Sequence, residues 1–313
     1  LDNFFDHSEK GITRGVSFFV IEKILQQPKL RSLSTQEKEE IRWAYGIAEH
    51  LHLRQKRMNG NMYIEHIDRS LELYINETLG KDEPCDLRYI CGLMLHDCIE
   101  DNDEGLEIMV QHGMSSDLIL DVLWMSKPTE TVINQLNQLK INHPDIYEGF
   151  DKKRISELLE FHAMASALDP EIVLQLIRDN LHLLKHTGTA LLEVWNIHFR
   201  DKFHNGHNNR EKQHKLFADF MFLLMISKLP KELLRIKATE RRDNIQDIEG
   251  LLNEKKVHAA KRIMNLTMVI YIPLLHAKKQ YELAQQLQCD KQISHTKFVT
   301  KGLMYPELDL IGI

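Results

Sequence analysis

Helical periodicity runs along this chain with few interruptions. Only 14 Gly and 8 Pro punctuate its 313 residues, and no run alternates apolar and polar positions with period two for long. Strands of an ordinary sheet need that alternation, or short apolar runs bounded by turn residues. The expected fold class is therefore all-α, before any motif is read.

The punctuation places the elements. Ser34-Thr35-Gln36-Glu37 reads as a capping box, in which the Ser oxygen and the Glu carboxylate satisfy free backbone donors reciprocally. Beyond it Ile41, Ala44, Tyr45, Ala48 and Leu51 recur at helical spacing. Further helices are predicted over about 63–79 with Gly80 as a stop, 86–101, 105–112 and 115–126. Pro128 breaks the pattern, and helices near 130–140, 152–166 and 170–185 lead to a polar, His-rich stretch from His186 to His214. Periodicity returns over 216–229, 231–249 and 255–288, and fades after Asp290.

Charge and cysteine usage narrow the class of function. The net charge is −6 with no run of Lys and Arg, which argues against a nucleic-acid partner. Cys85, Cys91, Cys98 and Cys289 form no CxxC pair and read as reduced thiols. The most apolar stretches, Phe220 to Ile226 and Leu266 to Leu275, are shorter than the roughly 20 residues that span a bilayer. No signal peptide heads the sequence, so a cytoplasmic protein without a membrane partner is expected.

The chemistry concentrates in Leu95-His96-Asp97-Cys98-Ile99-Glu100-Asp101. Adjacent His and Asp at a helix end offer a nitrogen and an oxygen ligand to one divalent cation. Glu100 and Asp101, one turn on, aim two more carboxylates at the same mouth. Upstream, His66 supplies a second imidazole from the preceding helix. Such a set suits Mn²⁺, Fe²⁺ or Zn²⁺, and like charges gathered behind an apolar helix repel one another without a cation.

The run His52-Leu53-Arg54-Gln55-Lys56-Arg57-Met58-Asn59-Gly60-Asn61-Met62-Tyr63-Ile64-Glu65-His66 resembles the opening of the RelA/SpoT-type (p)ppGpp hydrolases, an HD-domain family. His96 to Asp101 is similar to that family's HDxxED segment, and Trp124-Met125-Ser126-Lys127 sits where a short Thr-Lys segment follows. Ile236 to Asn244 resembles the later helix with an Asp-Arg pair before an Asn, and Ala259 to Leu275 the closing helix. The resemblance covers roughly 35–127 and 215–288, and the compact, hydrolase-only members are the nearer comparison. It implies an HD-type helical bundle that hydrolyses the 3′-pyrophosphate of (p)ppGpp, usually with Mn²⁺. By position, His66, His96, Asp97 and Glu240 would hold the metal. Glu100 and Asp101 would position or deprotonate the attacking water, and Arg57, Tyr63, Arg241 and Asn244 would face the nucleotide.

Two departures shape the expectations. Glu240 stands where the family has its last Asp ligand, and Asp243, where the family commonly has His, is an alternative ligand. The segment 128–215 is longer than the family needs and reads as a helical insertion, a lid or a protein-partner surface, within an HD domain over 34–290. Residues 1–33 are expected as an extension and 291–313 as a tail, and His198, His204, His207 and His214 as part of a solvated loop. Other readings of the same residues are another HD-class nucleotide phosphohydrolase, such as an NADPH 2′-phosphatase, and a nucleotide-binding regulator without turnover.

Overall fold

A computed structural model describes residues 14–79, 86–167, 175 and 210–302, with side chains described from residue 20 and, after the second gap, from 217. The chain is all-α: no β-strand occurs among the described residues. Also among them, no helix is long and apolar enough to cross a membrane.

The helices are α1 (Arg14–Leu25), α2 (Thr35–His52), α3 (Tyr63–Leu73, prolonged by a π turn to Thr78), α4 (Leu87–Leu95), α5 (Cys98–Asp101), α6 (Gly105–Gln111) and α7 (Ser116–Met125). After these come α8 (Glu130–Asn142), α9 (Pro144–Glu148), α10 (Lys152–Ala167), α11 (Arg210–Lys228), α12 (Lys231–Gln246) and α13 (Ile248–Asn253). The last are α14 (Val257–Leu266, prolonged by a π turn to Tyr271), α15 (Ile272–Ala277) and α16 (Tyr281–Thr300). Apart from residue 175, the expected helix over 170–185 lies outside the described residues, as do the loop histidines His198, His204 and His207 and the side chain of His214.

Local chemistry sets the ends that matter. The capping box forms as read: Glu37 N donates to Ser34 Oγ, and Ser34 N to Glu37 Oε2 at 2.7 Å. α2 then packs along α4, and α12 lies against α3, α4 and α16. The helix expected over 86–101 is broken instead at His96. The ring Nδ1 of His96 takes the Leu93 carbonyl at 2.6 Å, the acceptor that the Asp97 amide would need to continue the helix. The chain restarts at Cys98, with Asp101 N donating to Asp97 O.

Ile21, Ile24 and Leu25 of α1, within the expected N-terminal extension, are buried in the common core. α16 continues ten residues beyond Asp290 and buries Ser294 and Phe298. Arg242 ties it down by donating to Asp290 Oδ2 at 2.7 Å while also reaching Glu77 at 2.8 Å. The described start of the expected insertion joins the core as well: Val132, Leu136 and Leu139 of α8 are buried, and α8 packs on α5 and α6.

Candidate metal centre

Three helices bring the site together. α3 carries His66, the break after α4 carries His96 and Asp97, and α12 carries Glu240. The imidazoles of His66 and His96 and the carboxylate of Glu240 each offer one ligand atom, and these atoms lie within 4.8 Å of one another. His66 and His96 are fully buried. His96 Nε2 stands 3.8 Å from Glu240 Oε2 and 3.0 Å from Asp97 Oδ2. Neither contact has hydrogen-bond geometry, and His96 Nε2 is a buried polar atom without a hydrogen-bond partner, whereas Glu240 Oε2 lies 2.5 Å from the Lys237 ammonium. Since the Nδ1 of His96 is spent on the Leu93 carbonyl, its Nε2 is the atom left for a ligand. A buried polar atom without a hydrogen-bond partner is rare, and its convergence with His66 and Glu240 fits a divalent cation with mixed nitrogen and oxygen ligands.

Asp97 flanks this triad. Its Oδ2 accepts a short hydrogen bond from the Tyr63 hydroxyl, which stacks in turn on His52 at 4.2 Å. His52 is hydrogen-bonded to Gln55, whose Nε2 donates to Asp101 Oδ2 at 2.6 Å on the exposed rim. Asp243 stands on the other side of His66, with Oδ2 2.6 Å from His66 Nδ1. The structure therefore groups Glu240, and not Asp243, with the two imidazoles as residues that could hold a metal.

The charges explain how so many ions share a buried space. Burial would raise the Glu240 carboxyl, but Lys237 and His96 outweigh it and hold it at about 2. Burial would lower the His96 imidazole, and Asp97 and Glu240 reverse the effect and raise it. His66 is lowered, chiefly by burial. Burial raises the Glu100 carboxyl against the pull of Lys127. Both oxygens of Glu100 are held by that residue, Oε1 by the Lys127 amide at 2.8 Å and Oε2 by its ammonium at 2.7 Å.

Two adjoining cavities open beside the triad. The inner one, about 270 Å³, is lined by Asp97, Glu100, Asp101 and Glu240 together with Lys127, Lys237, Arg241 and Arg262. The outer one, about 380 Å³, is lined by Arg57, Met58, Asn244, Asp247, Leu251 and others. Tyr63, Lys127 and Arg262 line both. Of the expected nucleotide-facing residues, Tyr63 and Arg241 thus face the inner cavity, and Arg57 and Asn244 the outer. Arg57 is already engaged, with Nη1 3.1 Å from Asp243 Oδ2 and Nη2 donating to Asn244 Oδ1. Asn244 Nδ2 passes the link on to Glu240 Oε1 at 3.1 Å.

Sequence reading missed Lys237, Asp219 and Arg262 and gave Lys127 no role. Lys237 had a signal: it lies four residues after the buried Leu233 and three before Glu240, so a cation occupies a core position of α12. Asp219, within 3.4 Å of Arg262 and 3.9 Å of Lys127, comes from a helix remote in sequence and had none.

No protein-family model, curated protein or solved structure matches the chain.

Proposed function

We propose that the chain is a metal-dependent phosphohydrolase of the HD class, with (p)ppGpp as its leading substrate and pyrophosphate and GDP or GTP as products. The observation that carries the reading is the convergence of His66, His96 and Glu240, with His96 Nε2 buried and without a hydrogen-bond partner and Glu240 Oε2 ion-paired to Lys237. The order of motifs resembling the (p)ppGpp hydrolases supports the substrate.

A divalent cation such as Mn²⁺, held by His66, His96 and Glu240 with Asp97 beside them, would supply Lewis-acid activation of water near neutral pH. The chain's own groups do the rest. Glu100, in the cavity wall and bonded to Lys127, would take the proton of the attacking water, and burial raises its carboxyl. Arg241 presents a buried Nε with no hydrogen-bond partner and lies over the Tyr271 ring at 4.7 Å. A guanidinium whose Nε has no hydrogen-bond partner can take an anionic guest, and Arg262 adds a second fork to the cavity wall. The walls of the inner cavity close around the reacting phosphate, and the outer cavity offers room for the remainder of a nucleotide.

Release of pyrophosphate from ppGpp with Mn²⁺, measured beside His96→Ala and with NADPH as a second substrate, tests the reading. Release that disappears in the variant supports it. Phosphate release from NADPH alone would move the assignment to the 2′-phosphatase. Absence of turnover with Mn²⁺ bound would leave the binding role and overturn hydrolysis.

A further inference from the structure

Asp243 is buried completely, yet both of its oxygens are occupied. Oδ1 accepts from Arg69 Nε at 2.6 Å, and Oδ2 from Arg69 Nη2 and Arg57 Nη1, each at 3.1 Å. The remaining contact of Oδ2 is His66 Nδ1, at 2.6 Å. Ser70 Oγ lies 3.3 Å from the same nitrogen, a longer and weaker alternative. An ionised carboxylate has no proton to give, so the hydrogen on this short contact belongs to the imidazole. Two guanidinium groups fix the carboxylate's orientation, and the carboxylate in turn fixes the ring.

Building on the metal reading above, we propose that Asp243 is the positioning residue of the metal centre. It holds His66 in the Nδ1–H form, so that Nε2 carries its lone pair towards His96 and Glu240. Glu240 and Asp243 stand three residues apart on α12. One turn of that helix therefore provides a ligand directly and orients a second ligand that belongs to α3. The clamp also reaches the outer cavity: Arg57, in its wall, bonds the same oxygen that His66 does. A His ligand that donates its second nitrogen to a carboxylate is oriented and made more basic, and removal of such a partner weakens metal affinity by about 10–100-fold.

Two measurements on the full chain test this. Long-range ¹H–¹⁵N spectra of the metal-free protein are expected to show His66 protonated at Nδ1; a proton on Nε2 overturns the proposal without any variant. Calorimetric titration with Mn²⁺ is expected to show Asp243→Asn binding about 10–100-fold more weakly than wild type. A wild-type chain that binds no Mn²⁺ overturns the metal reading and this proposal with it. Wild-type affinity retained in Asp243→Asn overturns this proposal alone.

Discussion

Lys237 Nζ lies 2.5 Å from Glu240 Oε2, the same oxygen that stands 3.8 Å from His96 Nε2. The buried ammonium is a built-in counter-charge at the position where a ligand carboxylate waits, and it also sits 5.2 Å from the centre of the Phe222 ring. A divalent cation on Glu240 would share that oxygen with Lys237.

The Lys237→Met variant separates these roles. Removing one partner of a buried ion pair leaves an uncompensated charge and destabilises by about 3–5 kcal/mol. The metal-free variant is expected to melt well below wild type, and Mn²⁺ should raise its Tm by more than it raises that of wild type. Equal metal-free Tm values would remove the counter-charge role.

Glu100 is expected to act in chemistry and not in metal capture. Glu100→Gln should bind Mn²⁺ as wild type does and lose about 10²–10⁴ in kcat, the range for a general base. Unchanged turnover would sink the assignment.

Gly105 opens α6 where it meets α5, and a Cβ there would stand 2.2 Å from the backbone oxygen of Cys98. No backbone atom can be that close, so Gly105→Ala must push apart the segments that carry Glu100 and Asp101. A loss of about 1–3 kcal/mol in urea unfolding is expected, as for other overpacked contacts, together with reduced turnover. Wild-type stability and rate in this variant would show that the contact between α5 and α6 gives way freely.

Asp68, two residues from His66 on α3 and bonded to Tyr45 of α2, supplies a pH test. Burial raises its carboxyl from 3.8 to about 6, against the Tyr45 hydroxyl that donates to it at 2.7 Å. With the folded value above the unfolded one, the folded state holds the proton more tightly. The resulting penalty on stability is absent below the unfolded value, grows as pH rises from there, and is complete above about 6. Asp68→Asn should therefore raise Tm at pH 7.5, and the gain should shrink steadily towards pH 3.8. A gain independent of pH would contradict this.

How much of this was legible in the sequence follows from where each interaction is local. The Ser34 and Glu37 cap closes within three residues, so its pattern could be read directly. The family resemblance pointed to His66, His96 and Glu240 together, and their side chains do converge, with ligand-type atoms within 4.8 Å of one another. The break at His96 was not legible, because it depends on the ring turning back to the Leu93 carbonyl, which leaves apolar periodicity unchanged. Asp243 could be named as an acidic group near the site, but its side of the His66 ring is decided by Arg57 and Arg69, 186 and 174 residues away. α16 ran past the expected limit for a similar reason. Its polar Asp290 and Ser294 face inward, bonded to Arg242 and to the Ile245 carbonyl, so the apolar pattern that marks a buried helix is interrupted there.

Metal stoichiometry is the measurement closest to the central claim. Wild-type chain and the His96→Ala, Glu240→Gln double variant would be equilibrated with Mn²⁺, passed over a desalting column and analysed by elemental mass spectrometry, with circular dichroism checking that both remain helical. The account expects about one ion per wild-type chain, as for one coordination centre, and none above background in the folded double variant. Equal ion content in the two folded proteins, or none in either, would contradict it.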